Sequence, residues 1–481
     1  MISALLTSVL TGAGAALAPD PRPNIVLITT DDQTIQDMSW LPKTRAALAT
    51  AGVTFSTTLS PHPLCCPARA EILTGQYAQN NGVYSNSGAT GGYAALREPD
   101  NTLPAWVQSA GYRTGFVGKF LNGYSWEAHG TPAGWDLWDP TILGTYSYYG
   151  YTTANNGEPR LAPEGEYITD YVATTSRDLI TRWAPLDKPF FLWSSYVAPH
   201  RACPTSEDCS RPPIPEADYL EAYATAVNYA AAKPSFNERN VKDKPKRIRN
   251  RPKDPAKMQE LFLGRIRSLA SVDDAVADTV AALTEAGVLD NTVIIFTSDN
   301  GYLLGEHRQE GKRKAYEESL RVPLIIRGPG FGAGQVATQV ATLVDLTPTI
   351  IQVSQASAGR VADGRSLLGA QTPVLATDRM TRLIQSGADV IGTQTRLWDW
   401  RGIRERRYTF VRWRSGFVEL YDRLKDPYQL SNKADKPKYQ KILKKLRKRF
   451  NVLKTCAGTT SCYRNFGPLP APKKPPKRRR N

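Results

Sequence analysis

The sequence predicts an α/β protein: a largely parallel central sheet sandwiched by helices, followed by a smaller C-terminal α+β subdomain containing an antiparallel sheet. Three observations lead there. Short continuous apolar runs recur along the chain, amphipathic helical patterns lie between them, and from about Arg401 the character changes to short strands with turns.

The apolar runs are Ile25–Thr29, Thr114–Val117, Phe190–Tyr196, Val293–Thr297 and Pro323–Arg327. Runs of this length, without polar alternation, read as strands buried on both faces. The clearest helical pattern carries Leu269, Val272, Val276, Val280 and Leu283 at three- and four-residue spacing, with Gly287 placed to cap its end. Further on, Arg401–Arg407, Tyr408–Arg414 and Phe417–Tyr421 read as an antiparallel hairpin unit. Lys436–Asn451 predicts a basic helix with Ile442, Leu443, Leu446 and Phe450 on one face. At 481 residues the chain exceeds what one core usually organises. The division predicted is a leader over 1–18, a main α/β domain over 22–374, an α+β subdomain over 375–455 and a basic Pro/Lys/Arg-rich tail over 456–481.

A hydrophobic content of 41% and a charged content of 22% are ordinary for a soluble globular protein. The 61 Lys and Arg against 45 Asp and Glu give a net charge of +16, unevenly spread. Ten Lys/Arg face three Asp/Glu between Lys233 and Lys257, and six more basic residues crowd the last nine positions. Such segments attract polyanions or are simply solvated; for the tail the second reading is preferred, because Pro-Lys-rich sequence buries no core. Met1–Ala18 is uncharged, fairly apolar and ends in Ala16-Leu17-Ala18, which fits a secretory signal peptide lacking its usual basic start. No segment is apolar enough for a good membrane span. Cys203/Cys209 and Cys456/Cys462 each have five residues between them in loop-like sequence and read as local disulfides, favouring a secreted, periplasmic or extracellular location.

The residues that carry chemistry sit immediately after the strands. Asp31-Asp32 comes after the first apolar run, Gly118-Lys119 after the second, Ala198-Pro199-His200 after the third and Ser298-Asp299-Asn300-Gly301 after the fourth. Ligands of open α/β sheets bind at the carboxyl ends of the strands, so these groups share one edge. Asp31, Asp32, Asp299 and Asn300 are hard oxygen donors suited to Ca²⁺, with Mg²⁺ as the alternative. An Asx turn would account for Asp31-Asp32 alone, but not for Ser-Asp-Asn-Gly arriving at the same edge. In Cys65-Cys66-Pro67-Ala68-Arg69, Pro67 fits the first turn of a helix and Gly75 its end. Cys65 then lies at a helix N-terminus, which favours an anion, with Arg69 one turn on.

Here the chain resembles the sulfatase family, within the alkaline-phosphatase-like superfamily. Cys65-Cys66-Pro67-Ala68-Arg69 matches the family's Cys-x-Pro-x-Arg signature and Leu73-Thr74-Gly75 continues it. The likeness runs from Pro23-Asn24-Ile25 to about Asp426-Pro427 and includes Gly311-Lys312 and Tyr316-Glu317-Glu318. The doubled Cys, Lys119–Asn122 and Ser298–Tyr302 look most like the N-acetylglucosamine-6-sulfatase branch.

The resemblance implies a sulfuric ester hydrolase whose nucleophile is formylglycine, made from Cys65 by a formylglycine-generating enzyme. The hydrated aldehyde offers one hydroxyl to attack sulfur and a second to expel sulfate. Asp31, Asp32, Asp299, Asn300 and the modified Cys65 would hold the metal; Arg69 would stabilise the hydrate; Lys119 and Lys312 would neutralise sulfate oxygens; His200 would serve as acid. Many relatives have a His where this chain has Leu121, and Asn122 is the expected substitute contact. His307 is either a further substrate contact or a solvated loop residue. The substrate expected is a sulfated small molecule or glycan, a sulfated amino sugar fitting the branch, with segment 233–257 able to guide a polyanion; nucleic acid is not expected. Two rivals remain: a phosphate or phosphonate ester hydrolase on the same fold, and a non-catalytic polyanion-binding relative.

Overall fold

The computed structural model describes residues 20–203, 209–369, 381–388 and 397–472. The expected leader and the basic end of the tail lie outside the described residues.

The four apolar runs that end in polar groups become four adjacent, parallel strands of one eleven-stranded sheet. Their order across the sheet is Thr292–Ser298, Asn24–Thr30, Phe190–Ser195 and Arg113–Gly118. Leu137–Leu143 extends the parallel run beyond Arg113–Gly118. On the other side Leu324–Arg327 runs antiparallel to Thr292–Ser298 and to Gly52–Leu59, and Gln335–Thr342 pairs in parallel with Gly52–Leu59. Thr30 stands opposite Ser298, while Thr29 and Gly118 both stand opposite Ser195. This register brings the four carboxyl ends out nearly level.

Alternate residues of each strand serve opposite faces, as the two-residue strand period requires. Ile25, Leu27, Phe191, Trp193, Val293 and Ile295 share a core with Ile72, Leu103 and Leu346, from the helices Cys65–Thr74, Leu103–Ser109 and Leu346–Ser354. Val26, Ile28, Leu192, Ile294 and Phe296 share the other core with Leu179 of the helix Ile168–Trp183 and with Leu269, Val272 and Val276 of Pro255–Glu285. Both faces are therefore apolar, which explains the continuous runs; each fully buried side chain of this size contributes about 1.5–3 kcal/mol. The helix expected around Leu269–Leu283 begins much earlier, at Pro255, where the Asp254 side chain accepts from Ala256 N–H at 2.9 Å and Pro255 occupies the first turn.

The C-terminal unit is a four-stranded antiparallel sheet of Arg382–Gly387, Trp398–Arg404, Tyr408–Trp413 and Val418–Asp422. Its second strand ends at Arg404 rather than Arg407, because the chain turns back at Glu405, whose N–H donates to Tyr408 O at 2.8 Å. Ile442, Leu443, Leu446 and Phe450 of the helix Gln440–Leu453 pack with Leu383, Ile403, Phe410 and Leu420 on one face. The other face docks on the main unit through Ile384, Trp400 and Tyr421, against Leu59, Tyr316 and Leu320. Cys203–Cys209 and Cys456–Cys462 are disulfides, while Cys65 and Cys66 are free and buried.

Gly118 is required where the chain leaves its strand for Lys119. Its φ is +102°, and an added Cβ would stand 2.1 Å from Ser195 O. Gly118→Ala is expected to lower the unfolding free energy by about 1–3 kcal/mol, read from chemical denaturation. An unchanged denaturation midpoint would show that this strand end relaxes freely.

Candidate active site

Asp31 and Asp32 leave the Asn24–Thr30 strand, and Asp299 and Asn300 leave Thr292–Ser298 beside it. Carboxylate oxygens of Asp31, Asp32 and Asp299 lie within 4.8 Å of one another, and all three residues are buried. Backbone bonds fix the turn: Asp31 N–H donates to Ala198 O (3.2 Å), Asp299 N–H to Thr30 O (3.2 Å) and Asp32 N–H to the Asp299 carboxylate (3.1 Å). Asp32 adopts φ +72°, a left-handed conformation that Asp tolerates better than most residues. Arg265, on the long helix, holds this turn from behind. Its guanidinium donates to Asp32 O and to Asp37 at 2.7 Å each, and its ring-facing side lies 4.7 Å from the Tyr302 centroid.

Cys65 opens the helix Cys65–Thr74, which ends at Gly75 in a left-handed cap with φ +66°. The Cys65 thiol donates to Asp31 Oδ1 at 3.3 Å, and Lys312 Nζ lies 2.8 Å from the same sulfur. Lys312 Nζ also donates to Asp32 Oδ1 at 2.5 Å, and Lys119 Nζ pairs with Asp31 Oδ2. Arg69, one turn along the helix, donates to Asp299 (2.9 Å), Lys119 O (2.8 Å) and Ser195 Oγ (2.6 Å). Residues far apart in the sequence thus meet at one point, the carboxyl edge of the sheet.

His200 lies at the rim. Its Nδ1 is 2.7 Å from Arg201 O, an acceptor only, so Nδ1 carries the hydrogen and Nε2 is the group 3.8 Å from Asp32. Its ring stacks on Tyr146 at 4.1 Å, and Tyr146 in turn lies 4.7 Å beneath the Lys119 ammonium. Asn122 Nδ2 donates to the Tyr146 hydroxyl at 3.1 Å. Tyr146 therefore links three expected site residues, yet sequence reasoning passed over it; the only signal was its place in the tyrosine-rich stretch Tyr146–Tyr151. Arg265 was missed for a similar reason, since one Arg in an amphipathic helix looks like surface. His307 is not a solvated loop residue. It is 1% exposed, its Nδ1 is 2.6 Å from Glu238, and its ring stacks on Tyr316. Its Nε2 is buried and without a hydrogen-bond partner.

The electrostatics follow from crowding charge in a dry place. Burial, then the neighbouring Asp31, push Asp299 up to about 6 despite Arg69. Burial also acts to raise Asp31, but Lys119, His200, Lys312 and Arg69 outweigh it and hold the carboxyl well below its ordinary value. Burial, reinforced by Asp31, pushes the Cys65 thiol up to about 12, so an unmodified Cys65 carries no thiolate at neutral pH. Burial pulls His200 down to about 4. Asn300 spends its Nδ2 on Asp32 (2.6 Å) and Gly301 O (3.0 Å), while its Oδ1 is buried without a hydrogen-bond partner. A buried orphan oxygen beside three clustered carboxylates could hold a hard divalent cation.

Comparison with known proteins agrees with this geometry. The sulfatase family model matches residues 23–356, and the model for the N-sulphoglucosamine sulphohydrolase C-terminal region matches 305–455. An arylsulfatase of Volvox carteri is 35% identical over 391 residues, covering 76% of this chain and 60% of its own length. Human N-acetylglucosamine-6-sulfatase is 32% identical over 505 aligned positions, covering 93% of this chain and 87% of its own length. A solved structure of a protein in complex with its substrate D-glucosamine-2-N,6-O-disulfate has a TM-score of 0.73 and 23% identity, covering 89% of this chain and 97% of that one, which shows a shared fold. With a family model spanning most of its length and a relative above 30% identity aligned almost end to end, the chain belongs to the sulfatase family of sulfuric ester hydrolases.

Proposed function

We propose that this protein hydrolyses sulfate esters of sugars, amino sugars among them, after Cys65 is oxidised to formylglycine by a formylglycine-generating enzyme. The observation that carries the reading is the cluster of Asp31, Asp32 and Asp299, with Asn300 donating to Asp32 and the Cys65 thiol donating to Asp31, ringed by Arg69, Lys119 and Lys312. The sugar assignment is supported by the glucosamine-sulfatase relatives and by the cationic surroundings.

Asp31, Asp32, Asp299, Asn300 and the modified residue 65 would hold one divalent cation, Ca²⁺ by their hard oxygen character. When bound, it supplies positive charge to a sulfate oxygen and favours loss of a proton from a hydroxyl at position 65. Lys312, already 2.8 Å from Cys65 Sγ, and Lys119 neutralise charge on the sulfate as the ester bond breaks. Arg69 orients its helix by gripping Asp299 and the Lys119 carbonyl. His200 gives a proton from Nε2 to the leaving oxygen. Burial keeps that nitrogen unprotonated in the free site, and the negative charge of a bound ester opposes this effect. Tyr146 and Asn122 hold His200 and Lys119 in place, and Asn122 is a candidate for substrate contact. The two disulfides fit an oxidising compartment, so we place the protein outside the cytoplasm; among the described residues no helix is long and apolar enough to cross a membrane.

Protein matured with the converting enzyme should show the Cys65 peptide lighter by about 18 Da, as thiol-to-aldehyde oxidation requires, and should release inorganic sulfate from glucosamine 6-sulfate. Matured protein that turns over 4-nitrophenyl phosphate faster than the matching sulfate would instead be a phosphoester hydrolase. Matured protein silent on both would be a binding protein.

His200→Ala should lower kcat on a sugar sulfate by about 10²–10⁴, and far less on 4-nitrophenyl sulfate, whose leaving group needs no proton. An equal loss on both substrates would remove His200 from the proton-transfer role. Arg265→Gln should raise the metal concentration needed for half-maximal thermal stabilisation by roughly tenfold, as expected for loss of a group orienting metal ligands. No change would reduce Arg265 to a packing residue.

A further inference from the structure

On the proposed function, His200 and Lys312 serve the two sides of one ester bond, yet they come from different parts of the chain. His200 lies in the loop that leaves the Phe190–Ser195 strand. Lys312 follows a short hairpin, in which Glu310 pairs with Leu304 and Gly311 with Leu303. Both groups need a fixed separation if they are to meet the same substrate.

One side chain spans the two loops. Arg201, next in the chain to His200, pairs with Glu310, two residues before Lys312. Its Nε donates to the Tyr302 hydroxyl at 3.3 Å, just before the hairpin, and a third N–H donates to Ser210 O. All three guanidinium nitrogens are therefore engaged within the protein, a forked arrangement that a single ammonium cannot reproduce. Tyr302 is itself braced, because the Arg265 guanidinium lies 4.7 Å from its ring centroid. Glu310 is held a second time by Lys253 Nζ, at 3.5 Å. The Arg201 and Glu310 side chains are 18% and 21% exposed, so this pair is better shielded than the exposed ion pairs that contribute little.

Both ends of the bridge lead to reacting groups. The Arg201 carbonyl oxygen accepts from His200 Nδ1 at 2.7 Å, which turns Nε2 toward Asp32. The Lys312 ammonium stands 2.8 Å from Cys65 Sγ and 2.5 Å from Asp32 Oδ1. We propose that Arg201 is a positioning residue: through Glu310 it fixes His200 Nε2 relative to the Lys312 ammonium, so that both meet the scissile ester together. This rests on the reading of the protein as a sulfatase and deepens it by naming what holds the acid and the sulfate-binding cation in register.

Matured, Ca²⁺-loaded wild type is compared with Arg201→Gln, Glu310→Gln and the double variant on glucosamine 6-sulfate. Each single variant should lower kcat by roughly tenfold to a hundredfold, the size expected when a reacting group is misplaced by about an ångström, with KM changed less than twofold. The double variant should lose no more than the worse single variant, because the two side chains form one bridge. An unchanged kcat, or a raised KM with kcat intact, which would make Arg201 a substrate contact, overturns the proposal; so do additive losses. If Arg201→Gln fails to fold, Glu310→Gln, which leaves the other two Arg201 contacts in place, carries the test. Hydrogen–deuterium exchange on the same proteins needs no turnover. The variants should exchange faster than wild type in both peptides 197–203 and 303–312, and an unchanged rate in either peptide overturns the bridge. Wild type with converted Cys65 that releases no sulfate fails the sulfatase reading separately, and exchange then decides the bridge.

Discussion

Three buried carboxylates lie within 4.8 Å of one another. In that environment like charges repel far more strongly than at a surface, and burial, with Asp31 beside it, pushes Asp299 up to about 6. The rest of the site answers this repulsion. Arg69, Lys119 and Lys312 each press a cation against one of the three, and the unpaired Asn300 oxygen completes a set that asks for a divalent metal. Such buried pairs add little net stability, but losing one partner would leave a bare charge at a cost of about 3–5 kcal/mol. The arrangement thus stores positive charge where a sulfate ester would develop negative charge.

Holding like charges together demands a rigid frame. The sheet register sets the strand ends level, and a few long-range braces lock the loops above it. Ser195 Oγ accepts from Arg69 and donates to Lys119 O, each at 2.6 Å, joining the signature helix to two neighbouring strands. Arg265 does the same from the opposite face of the sheet. The active edge is therefore supported by both helical layers, and a change in the register of Pro255–Glu285 would reach the Asp31-Asp32 turn through one guanidinium.

Much of this was legible in the sequence because the central strands are buried on both faces, which writes continuous apolar runs into the chain. The ligands were legible because each comes directly after such a run. Gly52–Leu59, Leu137–Leu143 and Gln335–Thr342 were not seen: threonines, Ser56, Asp139 and Gln339 break up their apolar signal. The first turns of the long helix were hidden by its Lys, Gln and Arg residues, although Asp254-Pro255 marked its start. Tyr146 and Arg265 act through contacts with residues more than twenty positions away, which no local pattern encodes. Of the two readings of His307, the solvated loop fails because its partner, Glu238, lies in the basic segment that reads as solvent-facing.

On the proposed function, the two strand ends that carry Asp31-Asp32 and Asp299-Asn300 make one divalent cation site beside residue 65. The most direct measurement is the Ca²⁺ stoichiometry and affinity of the purified chain, with elemental analysis and calorimetric titration of wild type and Asp299→Ala. The account predicts one Ca²⁺ per wild-type chain and its loss in the variant. A wild type that binds no divalent ion, or a variant that binds it unchanged, would contradict the account.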